Sequence, residues 1–145
     1  MKPNIDDARY IIKEINSEKK YQELKAEYVD KYIAIDTKMK QLYYPKSPTG
    51  KKESSGESIP KETLFLQYID KKDEMQKMAK HYDDRLKLVA DMKKVVYMND
   101  DGFARDFFNH VGYTKLCNKY AITNPSKYMT DRIIRNMKEL VCNHD

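Results

Sequence analysis

Six of the 28 basic residues fall between positions 115 and 138: Lys115, Lys119, Lys127, Arg132, Arg135 and Lys138. Asp131 is the single acid among them, so this stretch carries +5, the formal charge of the whole 145-residue chain. Ammonium and guanidinium groups gathered on one face neutralise phosphates, and a planar guanidinium also pairs bidentately with a guanine edge. Elsewhere the charge is near balance: residues 1–43 hold nine bases and eight acids, and residues 61–99 hold nine and seven. Acids border the basic stretch at Asp100, Asp101, Asp106, Glu139 and Asp145. A localised basic face on a chain that is otherwise nearly neutral is the footprint expected of nucleic-acid binding.

Other chemistry is poorly served. There is no Gly-rich phosphate loop and no nucleophile motif, and the three histidines are scattered at His81, His110 and His144, so no enzyme and no cofactor is expected. Cys142, His144 and Asp145 lie together in the tail, but without a paired C-x-x-C they make no metal site. Cys117 and Cys142 read as reduced thiols, Cys117 on a buried helix face. Twelve Tyr and eight Met are abundant enough to offer stacking platforms for bases, yet at helical spacing they read as core filler.

The basic residues need elements to position them. Asn99 or Asp100 caps a short helix carrying Phe103, Phe107 and Val111 at four-residue intervals, and Gly112 stops it in the left-handed conformation. Residues 114–121 form a second helix with Leu116 and Tyr120 on one face, and a turn follows at Ile122 and Thr123. Asn124 then caps a third helix with Pro125 at its first position, where a missing N–H is harmless. In this third helix Met129, Ile133, Met137 and Leu140 form one buried stripe. Lys127, Tyr128, Asp131, Arg135 and Lys138 lie opposite, with Arg132 on the flank. Arg135, Lys127 and Tyr128 are long enough to reach base edges, while Asn124 and Ser126 offer the helix start to a phosphate. The bland alternative is a solvated polar face with Asp131 and Arg135 paired across one turn. The order helix, turn, cap, basic helix favours a helix-turn-helix bound to double-stranded DNA, with Lys115 on the preceding helix as a further contact.

With 35 % charged residues and only four Gly, the chain is expected to be all-α. Tyr28, Tyr32, Ile35, Met39 and Leu42 are spaced 4, 3, 4 and 3, the heptad signature of a narrow seam. Ile11 and Ile15 begin the pattern, but Glu14 and Glu18 interrupt it, which predicts a register shift near residue 18. Residues 44–60 hold Pro, Gly and Ser and almost nothing apolar, the composition of a flexible connection. Leu64, Tyr68, Met75, Met78, Tyr82, Val89, Met92 and Val96 then define a long helix over 61–98, broken only by Lys71 and Arg85. The expected architecture is a coiled-coil-like antiparallel helical hairpin over 1–98 followed by a helix-turn-helix module over 99–145. Two seams make a thin core, so a homodimer through the long helices is expected. No apolar run approaches the ~20 residues that span a bilayer, and residues 1–5 lack the apolar core of a secretory signal, so no membrane contact and a cytoplasmic location are expected.

This layout resembles that of RinA/ArpU-type phage late-gene transcriptional activators, whose C-terminal module is similar to the fourth region of sigma factors. The residues that carry the resemblance are 103–108, 112–123 and 131–140, with 131–140 at the recognition helix. Two departures stand out: the stretch between Thr123 and Met129 is longer than the family pattern, and Cys117 stands where such modules carry Ala. The resemblance implies a phage-encoded, DNA-binding transcription regulator in a bacterial host cell, activating late or packaging genes, with host RNA polymerase as a second partner. Two other classes fit the same helices. A small-terminase-like packaging protein would use the module on packaging-site DNA and the long helices for ring assembly; a mobile-element protein inhibitor would act through the hairpin and show no DNA affinity.

Overall fold

A computed structural model describes residues 2–43 and 60–144. The chain is all-α: six helices and, among the described residues, no strand. In order they are α1 Ile5–Asn16, α2 Glu18–Tyr43, α3 Lys61–Val96, α4 Phe103–Phe108, α5 Tyr113–Tyr120 and α6 Pro125–His144. None is long and apolar enough to cross a membrane. The connection expected over 44–60 lies, apart from Pro60, outside the described residues.

Asn4 starts α1 with a capping box, its side chain accepting from the Asp7 N–H at 3.0 Å and the Asp7 carboxylate accepting from the Asn4 N–H at 3.1 Å. Two of the four orphan donors of a helix start are thereby satisfied. The register shift expected near residue 18 is a break: Ser17 stands between α1 and α2, donating its N–H to both Lys13 and Glu14 carbonyls. The helix then restarts with Glu18.

The chain divides into two compact units, residues 20–84 and residues 1–19 with 85–145. This differs from the division expected at 98/99, because the first helix and the end of α3 belong with the C-terminal helices. In the unit 20–84, every seam residue from Tyr28 to Leu42 and from Leu64 to Tyr82 named above is half-buried and none is fully buried. Lys25 meets Asp83 at 2.8 Å and Asp36 meets Lys72 at 2.7 Å, so later residues of α2 meet earlier residues of α3. The Tyr82 ring lies 6.0 Å from those of both Tyr21 and Tyr28. The seam predicted Lys71 as its interruption; Lys71 is exposed, and the neighbouring Lys72 turns inward to Asp36 and over the Tyr32 ring.

The other unit holds the core. Its fully buried large side chains are Val89 and Val96 of α3, Phe103 of α4, and Met129 and Ile133 of α6. Helix α1 packs on α6, with Ala8 wholly buried and Ile11 and Ile15 nearly so. An Ala at the centre of a helix contact lets two backbones approach closely. Phe103 is the aromatic centre, its ring in edge contact with Tyr120 at 5.1 Å and Tyr128 at 4.6 Å. Asn136, 6 % exposed, donates from Nδ2 to the Val95 carbonyl at 2.9 Å. That carbonyl, among the last four of α3, also accepts from the Met98 N–H at 3.3 Å.

Two short-range expectations are corrected. Gly112 does not end α4: that helix closes at Asn109, and His110 takes the left-handed conformation at φ 62°. Gly112 has φ −56° and is the N-cap of α5 instead. Cys142 does not lie in a tail, since α6 runs through it to His144.

Ala121 ends α5 in the left-handed region, at φ 53° and ψ 48°, and is exposed. An L-residue with a Cβ is disfavoured there by roughly 1–2 kcal/mol, part of which glycine returns as lost unfolded-state entropy. Ala121→Gly is therefore expected to raise stability by about 0.5–1 kcal/mol in urea denaturation, and a lowered midpoint would show that the methyl group has a packing role.

Candidate nucleic-acid interface

Asn124 accepts from the Lys127 N–H at 3.2 Å, so the expected cap and the start of α6 at Pro125 are as the sequence indicated. The turn occupies residues 121–124, and the extra length before Met129 is helix rather than loop. Of the expected apolar stripe, Met129 and Ile133 are fully buried while Met137 and Leu140 are half-buried. Pro125, Thr130 and Asn136 are buried beside them. At 100° per residue, the exposed arc of α6 opposite that core includes Lys127, Asp131, Arg135, Lys138 and, in the last turn, Cys142.

Not every cation counted in the sequence is available. Arg132 has a side chain only 12 % exposed; it donates to Asp101 Oδ1 at 2.9 Å and to the Asn99 carbonyl at 3.2 Å. Its guanidinium also lies 5.7 Å from the centre of the Tyr128 ring. Arg132 and Tyr128 were both expected to face a ligand; instead the first ties α6 to the segment before α4, and the second packs on Phe103. The acids at that tie also serve α4. Asp100 accepts from the Ala104 N–H at 2.9 Å and Asp101 from the Phe103 N–H at 3.1 Å, since Gly102 at the formal cap has no side chain to do so. Gly102 itself has φ +103°, and a Cβ there would stand 3.2 Å from the Tyr120 hydroxyl.

Lys119 is engaged as well. Its ammonium lies 2.8 Å from Asp106, whose carboxylate also accepts from the Tyr120 hydroxyl at 2.7 Å. The Lys119 ammonium, and after it the Tyr120 hydroxyl, hold the Asp106 carboxyl below its ordinary value. The pair joins α5 to α4 and takes one more charge out of the count.

Lys115, Lys127, Arg135 and Lys138 remain. All four are exposed, and among the described residues none has a carboxylate at ion-pairing distance. Asp131 and Arg135, one turn apart, do not pair. Asn124, Ser126 and Asp131 are exposed at the same end of α6. Lys127 and Asp131 line two grooves at once: one with Ala121, Thr123 and Tyr128, the other with Ile5 and Arg9 of α1. They therefore form the ridge between the two.

Arg9 is the residue that sequence reasoning missed. It is exposed on α1 and opens onto the same groove as Asn124, Ser126 and Lys127. Nothing local signals it, because its proximity depends on α1 packing against a helix at the opposite end of the chain. Among the described residues no group of His, Cys, Asp and Glu is arranged to hold a metal ion. No protein-family model, curated protein or solved structure matches the chain.

Proposed function

We propose that this protein binds duplex DNA through α5, the 121–124 turn and α6 acting as a helix-turn-helix, with α6 in the major groove. The observation that carries the reading is the exposed arc Lys127, Asp131, Arg135 and Lys138, whose three cations have no ion-pair partner among the described residues while the neighbouring Arg132 and Lys119 do. Arg135 is the base-reading side chain, Lys127 and Lys138 contact phosphates, and Lys115 reaches the backbone from α5. Asp131, an acceptor on the ridge, selects against sites that place a phosphate there and accepts from a cytosine amino group where one is offered. The layout supports a transcription regulator of the RinA/ArpU kind. In it α2 and α3 fold as an antiparallel hairpin that joins two copies, and so two half-sites.

Binding measured by fluorescence anisotropy is expected to weaken about fortyfold between ~50 and ~200 mM salt, the counterion release of about three phosphate contacts. Arg135→Ala is expected to reduce discrimination between cognate and random duplex, whereas Lys115→Ala weakens both alike. Absence of binding at ~50 mM salt, where phosphate contacts are favoured, refutes the reading.

A further inference from the structure

The groove beside α6 has a second wall, and that wall is α1. Ile5 and Arg9 stand on it, and Asn124, Ser126, Lys127 and Asp131 stand opposite, around a volume of about 310 Å³. Arg9 is exposed, and among the described residues its guanidinium has no carboxylate partner, although Asp6 lies within one turn of the same helix. Arg9 and Lys127 line one open groove with no carboxylate at ion-pairing distance among the described residues, so their like charges repel weakly under solvent screening. The same pair is well placed for an anion that fits between them.

Resting on the helix-turn-helix reading, we propose that α1 is part of the DNA-binding surface and that Arg9 contacts a backbone phosphate flanking the groove entered by α6. A phosphodiester suits the site better than a carboxylate because a guanidinium fork matches two phosphate oxygens while Lys127 supplies a point charge from the other side. Asp131 lines the same groove and repels an anion. The phosphate accordingly sits toward Arg9 and Ser126, away from that carboxylate. Arg9 supplies affinity and register, not sequence choice, since a phosphate carries no base identity. The anchoring of α1 makes such a contact rigid: Ala8, immediately before Arg9, is 0 % exposed against the rest of the unit.

The test compares the full-length wild-type chain with Arg9→Gln on a cognate duplex and on a random duplex of equal length, across a series of salt concentrations. Arg9→Gln is expected to weaken binding to both duplexes about equally and to reduce the slope of log K against log salt by about 1. Thermal denaturation should be unchanged, because the side chain is exposed. Wild-type binding with an unaltered slope in Arg9→Gln overturns the role of α1 and leaves the α6 reading standing. Loss of discrimination in Arg9→Gln, with the slope unchanged, overturns the phosphate assignment. Failure of the wild type to bind either duplex refutes the helix-turn-helix reading itself.

Discussion

Arg132→Met is expected to lower stability by about 2 kcal/mol at neutral pH, the scale of charge-assisted hydrogen bonds partly screened by solvent. It is also expected to leave the salt dependence of DNA binding as it is. Methionine keeps the apolar stem of a side chain that is 12 % exposed, so what the substitution removes is the tie to Asp101 and to the Asn99 carbonyl. The tie has an acid signature. The Arg132 guanidinium, followed by the Phe103 N–H, holds the Asp101 carboxyl below its ordinary value of 3.8. A carboxyl whose value is depressed by folding contributes stability above its unfolded value and loses that contribution as pH falls through the folded one. Wild-type stability should thus fall as pH drops below about 4, and Arg132→Met should follow a shallower course, so that the two converge in acid. Urea denaturation at pH 7, 4 and 3 measures this. Equal stability at pH 7 would show that the network contributes nothing, and a salt slope reduced by about 1 would place Arg132 on a phosphate after all.

That prediction marks the boundary of what the sequence discloses. Helical periodicity is a local property, so the seam from Leu64 to Val96, the cap at Asn124 and the face shared by Met129 and Ile133 are all legible in it. Burial of a cation is not local. Arg132 lies on the flank of a basic helix and reads as available until Asp101, 31 residues earlier, is brought to it. Lys119 reads the same way until Asp106 arrives from α4. The same limit hides α1. Its apolar residues Ala8, Ile11 and Ile15 announce a buried face but not the partner, and heptad spacing downstream invites the assumption that α1 simply extends the long hairpin. Ser17 breaks that continuity, and α1 packs on α6. His110 illustrates a smaller failure: glycine is the default for a left-handed position, but tertiary context gave that position to a histidine two residues before Gly112.

The interruptions of the apolar pattern hold the last consequence. Glu14 breaks the stripe of α1, and Arg85 breaks the heptads of α3; in the structure they are partners, Arg85 Nη1 donating to Glu14 Oε1 at 3.4 Å and to the Tyr10 hydroxyl at 3.0 Å. Glu18 at the start of α2, four positions after Glu14, and Lys93, eight positions after Arg85 on α3, form a second such pair. The Glu14 side chain is 7 % exposed against 36 % for Arg85, so the carboxylate is the more buried member of the pair. Arg85→Met removes the contacts to Glu14 and to the Tyr10 hydroxyl and is expected to destabilise by about 2 kcal/mol, the scale of hydrogen bonds to charged groups. Glu14→Leu removes the buried carboxylate and should be milder, since Arg85 keeps the Tyr10 hydroxyl and reaches solvent. The double substitution Glu14→Leu with Arg85→Met is expected to be more stable than Arg85→Met alone, because two apolar side chains of similar volume replace the pair without a desolvated charge. A four-protein cycle in urea should give a coupling of at least about 1 kcal/mol, and strict additivity would show that the two charges act independently. The same cycle bears on binding. Arg85 anchors the helix that carries Arg9, so a weakened anchor should release α1 before the core around Met129 and Ile133 opens. Arg85→Met, at a temperature where it remains folded, should then show the reduced salt slope of Arg9→Gln, and the double variant should restore it; an unreduced slope would mean that α1 holds its place on α6 through Ala8, Ile11 and Ile15 alone.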